Sequence, residues 1–185
     1  MNPTLELISE HNAVLVALQI LEEVEGALAA GREEAALHLA QLLDFFKGFV
    51  DRCHHGKEED VLFPELERRG VMREGGPIGV MLAEHEAGRV HIRVMSEGLE
   101  RLQGGDPRAT DEIHEHGRAY RDLLRAHINK ENRILFPLAD KLVPEDTAAQ
   151  IVQRYEEIER VRVGKGKHEE YHAMLHNLKD LYRVA

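Results

Sequence analysis

The residues of this chain best suited to chemistry are its histidines, twelve of them against a single cysteine, Cys53. Imidazole and carboxylate donors are plentiful and thiolates are not, which suits iron, manganese or zinc and excludes a cysteine-based zinc ribbon. Two His-x-x-x-Glu pairs stand out, His54 with Glu58 and His127 with Glu131. Residues i and i+4 stack on one helical face, so an imidazole and a carboxylate at this spacing can reach one ion.

The two pairs belong to an internal repeat. His54-His55-Gly56-Lys57-Glu58 runs on to Leu62-Phe63-Pro64, and His127-Ile128-Asn129-Lys130-Glu131 runs on to Leu135-Phe136-Pro137, at an offset of 73 residues. Upstream, Glu10-His11 matches Glu84-His85. The chain thus reads as a duplicated helical hairpin, with one His on its first helix and His-x-x-x-Glu on its second. His11 lies between Leu7 and Val14, and His85 between Met81 and Ile92. His54 is in register with Phe46, Val50 and Val61, and His127 with Tyr120, Leu124 and Ile134. All six groups are therefore expected to face the core. Burying them without partners costs several kcal/mol per group, and metal ions remove that cost. Glu58 and Glu131 are read as bridges between two ions, and the four histidines as terminal ligands.

The elements that must position these groups are helices. Four long amphipathic segments are expected near Pro3–Ala30, Arg32–Arg69, Pro77–Gln103 and Pro107–Leu142, joined by short glycine-containing turns. This predicts an all-α, up-down-up-down antiparallel four-helix bundle over residues 1–142. A two-helix extension over 143–185, near Glu145–Arg162 and Lys167–Tyr182, is expected to pack on it. Pro64 and Pro137 lie inside helical patterns, so each predicts a bend where a backbone donor is missing.

Composition narrows the partners. With 34 acidic and 24 basic residues in 185, the net charge is −10, which repels phosphate backbones and argues against nucleic acid. No run is apolar enough to span a membrane. The first residues lack a secretory pattern, and the cytoplasm is the expected compartment. No Ser-His-Asp order, P-loop or Gly-x-Gly-x-x-Gly gives another enzyme class a foothold.

On these residues the sequence resembles the hemerythrin-like family, the HHE cation-binding domain, over about residues 4–142. The carrying pattern is His11, His54-x-x-x-Glu58, His85 and His127-x-x-x-Glu131, with the Leu-Phe-Pro triplets and the stretch from Met81 to Arg89. The resemblance implies two non-haem iron ions, oxo- or hydroxo-bridged, with zinc or manganese as substitutes in recombinant material. It also implies a small diatomic or peroxide ligand. Three functions stay open: binding or sensing of dioxygen, nitric oxide or peroxide, a peroxide-reducing oxidoreductase, and an iron sensor or store acting through a protein partner. The set read here has four His, one fewer than in classical oxygen carriers. One ion is therefore expected to keep more open positions, which favours redox chemistry over simple oxygen carriage.

Other residues carry two readings each. His55 and Glu59 form another i, i+4 pair, read as half-exposed and as the alternative to His54 and Glu58. Tyr120 is either a hydrogen-bond donor behind a ligand or a core residue. His168, Tyr171 and His172 either gate the centre or pack the last helix. Cys53 reads as a small buried apolar group.

Overall fold

In a computed structural model, residues 2–164 and 166–184 are described, and these contain helices and no strand. The first rod is α1 (Pro3–Ala29). The second runs from α2 (Ala35–Phe45) through the π-helical segments π1 (Phe46–His55) and π2 (Glu58–Leu62) into α3 (Phe63–Arg68). The third is α4 (Pro77–Gln103). The fourth joins α5 (Ala109–Lys130), π3 (Glu131–Leu135) and α6 (Phe136–Leu142). The extension comprises α7 (Glu145–Ile158), continued by π4 (Glu159–Val163), and α8 (Lys167–Tyr182). The all-α reading stands, and the expected segments are found with shifts of a few residues at their ends.

Local chemistry sets the boundaries. The Asn2 side chain accepts from the Thr4 N–H at 3.0 Å, and Pro3 opens α1 where a donor is not needed. Gly31, Gly70 and Gly105 take positive φ just past helix ends, a conformation that L side chains resist.

The two prolines do more than bend their helices. A proline at position 64 cannot donate to the Asp60 carbonyl, and its ring crowds that carbonyl in an α-helix. The chain widens instead: the Phe63 N–H reaches back five residues to the Glu58 carbonyl, and the Phe136 N–H likewise to Glu131. The stranded Asp60 carbonyl accepts from Arg154 of α7 at 2.8 Å. The extension thereby supplies the donor that Pro64 removes.

The apolar interior has two parts. One holds Val14, Leu21, Phe46, Val50, Ile92, Met95 and Leu124, with Tyr171, Leu175 and Leu178 of α8. The other holds Leu7, Val61, Phe63, Met81, Leu135 and Phe136, with Ile151 and Tyr155 of α7. The polar residues of the repeat lie between them, so apolar layers wall them off above and below. Among the described residues, no helix is long and apolar enough to cross a membrane.

Candidate metal centre

Four rods each contribute to one buried polar layer. His11 comes from α1, His54, His55 and Glu58 from the second rod, His85 from α4, and His127 and Glu131 from the fourth. Their donor atoms form two groups, each closing within 4.8 Å: His11, His54, Glu58 and Glu131, and His55, Glu58, His85 and His127. The two carboxylates span both groups. Glu58 places Oε1 at 3.6 Å from His54 Nε2 and Oε2 at 3.4 Å from His85 Nε2. Glu131 places Oε2 at 3.2 Å from His11 Nε2 and Oε1 at 3.3 Å from His127 Nε2.

Four of the five imidazoles are aimed by their other nitrogen. His54 Nδ1 donates to Glu10 at 2.7 Å, His85 Nδ1 to Glu59 at 2.7 Å, and His127 Nδ1 to Glu84 at 2.8 Å. His11 Nδ1 donates to the Asn132 side-chain oxygen at 2.8 Å. His55 Nδ1 faces Asp51 at 3.5 Å. A carboxylate can only accept, so for His54, His85 and His127 these bonds fix the proton on Nδ1 and leave Nε2 as a lone-pair donor, and the Asn132 oxygen does the same for His11. Cations hold the carboxylates in turn. Lys57 binds Glu10 at 2.5 Å, Lys130 binds Glu84, and Arg89 reaches both Asp51 and Glu59 at 2.7 Å. The phenylalanines of the Leu-Phe-Pro triplets complete the walls: Phe136 stacks on His11 at 5.4 Å and Phe63 on His85 at 6.0 Å.

This arrangement fits cations on three counts. Nε2 of His54 lies 3.0 Å from Nε2 of His11, and Nε2 of His85 lies 3.1 Å from Nε2 of His127, so lone pairs confront each other in both groups. All four oxygens of Glu58 and Glu131 are buried without a hydrogen-bond partner, an arrangement that is costly unless a cation satisfies them. Metal-free, the two carboxylates cannot share the layer as equals. Burial, and then the neighbouring Glu131, push the Glu58 carboxyl well above its usual range. Burial also opposes ionisation of Glu131, yet His127 and His11 hold it well below that range. Burial, followed by the charge of His85, pushes His55 well down, favouring the neutral, ligating form.

The structure brings together all six residues expected as ligands and adds a seventh. His55 is 4% exposed and stacks on His85 at 3.7 Å, so it is not the half-exposed residue that its neighbours Asp51 and Arg52 suggested. It joins His54 in the layer instead of replacing it. The reason is π1, whose wide turn reduces the angle between consecutive side chains and admits both imidazoles to one face. The centre therefore has five imidazoles rather than four, and the argument from one missing imidazole no longer stands. Glu59 lies behind His85 as its hydrogen-bond acceptor. Tyr120 is buried, packs edge-on against Phe46 at 5.0 Å and makes no hydrogen bond to a candidate ligand among the described residues. His168, Tyr171 and His172 sit away from the layer, against Phe49. The Tyr171 hydroxyl donates to the Asp44 carbonyl at 3.2 Å. Cys53 is buried, and burial pushes its thiol up to about 12.

A cleft of about 210 Å³ leads in from the α4 side. Phe46, His55, Gly88, Ile92 and Tyr120 line it, together with Arg89 and Arg93.

A helical bundle that encloses two abutting His/Glu groups, with four of the five imidazoles backed by an acceptor of their own, is a cation-binding domain. The profile of the hemerythrin HHE cation-binding domain matches residues 2–139, and the chain belongs to that family. Two relatives are an uncharacterized protein of Mycobacterium tuberculosis and one of Mycobacterium bovis, each 23% identical over 160 residues. Those matches take in 86% of this chain and 62% of each relative, so the chain spans under two thirds of their length.

Proposed function

We propose that the chain is a non-haem di-iron protein that binds, senses or reacts with dioxygen, nitric oxide or peroxide. The observation that carries this reading is the way Glu58 and Glu131 each offer one oxygen to either group, the arrangement of two bridging carboxylates. Iron held there would supply electrons to a small oxidant and coordination positions for it to occupy. The chain's own residues do the rest. Glu10, Glu59, Glu84 and Asn132 hold the imidazoles in one tautomer and orientation. The two apolar layers exclude bulk water.

The division of donors is uneven. With both carboxylates shared, one side has His11 and His54 and the other has His55, His85 and His127. An ion held on the two-imidazole side would have fewer protein donors, and this supports reaction with peroxide over mere storage. A sensing role would pass through a protein partner. The cytoplasm is the proposed compartment, in keeping with the single cysteine.

Elemental analysis of purified protein, with optical spectra before and after air and peroxide, tests the reading. Iron in about a twofold excess over chain, with a ferric spectrum that responds to oxidant, is the expected result. A single zinc with no spectral change would overturn it.

A further inference from the structure

Tyr155 lies on α7, beyond the matched residues 2–139. Its side chain is fully buried, and its hydroxyl has no hydrogen-bond partner. Native structures rarely strand a phenol in this way, because the lost hydration is not replaced. Its surroundings point toward the metal layer. The Tyr155 ring lies in the core part formed by Leu7, Leu62 and Phe63. The Lys57 ammonium sits 5.7 Å from the ring centroid, and that same ammonium holds Glu10, which aims His54. Burial and then the charge of Glu58 bear most on its ionisation and hold the phenol well above its usual range, so it remains a proton-bearing donor. The Glu58 oxygens are themselves without hydrogen-bond partners.

Two facts define what the hydroxyl can serve. Its ring stands beside Lys57 on a helix packed against α1 and π2, the elements next to His11 and His54, and theirs is the side with two imidazoles rather than three. A donor there meets whatever small acceptor takes the more open position. We propose that Tyr155 is a positioning residue of the centre, its hydroxyl donating a hydrogen bond to a small ligand held on the His11/His54 side. The extension would then complete the site and not merely cap the bundle. This inference rests on the di-iron reading.

The test uses the full chain, iron-loaded and oxidised, with azide as the probe ligand, alongside Tyr155→Phe. The variant keeps the ring and removes only the hydroxyl. The expected result is unchanged iron content and an azide affinity about tenfold weaker, the scale of one net hydrogen bond. In heavy water the azide stretching band should shift in the unaltered protein and stay put in the variant. Metal-free, Tyr155→Phe should melt at the same temperature or higher, because the deleted hydroxyl has no partner to lose. Equal azide affinity and equal heavy-water response in two fully loaded proteins would overturn the proposal while leaving the di-iron reading intact. A lower melting point of the metal-free variant, or its loss of iron, would overturn it too, by making the hydroxyl a structural or ligating group. Failure of the unaltered protein to hold iron would remove both readings together.

Discussion

Lys57 and Lys130 occupy equivalent places in the repeat and make the same contact, each to the glutamate that orients a histidine. Their surroundings differ. Lys57 is 0% exposed and faces three carboxylates, Glu6 at 2.8 Å, Glu10 at 2.5 Å and Glu159 at 3.5 Å. Lys130 is 36% exposed and pairs with Glu84. Removing one partner of a buried pair strands the other charge and costs about 3–5 kcal/mol, whereas a pair reached by solvent is worth about 1 kcal/mol or less. Lys57→Met should therefore lower the melting temperature of the metal-free protein by roughly 6–20 °C, and Lys130→Met by roughly 4 °C or less, for a domain of this size. Urea unfolding of metal-free protein gives the free energies without a cofactor to complicate the transition. A pH series adds a second check. Burial raises the Glu10 carboxyl, but His54 and then Lys57 outweigh it and bring it down from 4.5 to about 2. That stabilisation is fully present above pH 4.5 and fades as pH falls toward 2. Lys57→Met should flatten this acid limb, because Glu10 titrates closer to its ordinary value once the ammonium is gone. Equal destabilisation by the two variants, to within about 1 kcal/mol, would refute the argument from burial.

Three further outcomes are expected. His55→Ala should make iron easier for a chelator to withdraw, as followed by elemental analysis over time, because the side with His85 and His127 falls from three imidazoles to two, the number on the other side. Unchanged withdrawal would return His55 to the role of bystander. Glu25 is buried beside Gly117, with Arg121 and His114 each at 3.3 Å. Burial pushes its carboxyl up to about 8 against the pull of Arg121, and Glu22 adds to the rise. A raised carboxyl stabilises the fold below pH 4.5 and loses that effect as pH climbs through about 8, so Glu25→Gln should gain stability at pH 8–9, as read by thermal melts, relative to the unaltered chain. An unchanged pH slope would show that Glu25 stays ionised. Gly48→Ala drives a methyl into the Tyr171 hydroxyl and should cost about 1–3 kcal/mol by lifting α8 off the second rod; a neutral urea midpoint would show that α8 adjusts freely.

The six repeated ligands were legible because the duplication placed each one twice on an apolar helical face. Pro77–Gln103 and the start of Lys167–Tyr182 were legible to the residue because Gly76-Pro77, Gly104 and Gly166 punctuate those ends. His55 was not, because a regular helix turns about 100° between neighbours and so cannot put His54 and His55 on one face. A trace of the answer is present. Buried pairs in the second rod recur every four residues, from Phe45-Phe46 and Phe49-Val50 through Cys53-His54 and Lys57-Glu58 to Val61-Leu62. On an α-helix such a stripe drifts about 40° per repeat, so a straight buried face demands a wider turn. Glu10, Glu84, Lys57 and Lys130 were also in view as matched positions of the repeat. A face argument reports which residues point inward but not which carboxylate receives which imidazole, so their pairing waited on the structure. Tyr155 had no signal at all, since nothing in a distal helix states which part of the bundle it covers.

The burial of the polar layer has a consequence for how metal comes and goes. All seven donor side chains are 0–4% exposed, and the cleft that reaches His55 carries Arg89 and Arg93, whose charges oppose the passage of a cation. Release requires the rods to part, and its rate follows the frequency of that opening rather than the strength of the coordinate bonds. The second rod is tied to the extension through Arg154 on the Asp60 carbonyl and Glu159 on Lys57. Those ties set the pace, and a chelator should strip the centre no faster than backbone amides of the second rod trade hydrogen for deuterium.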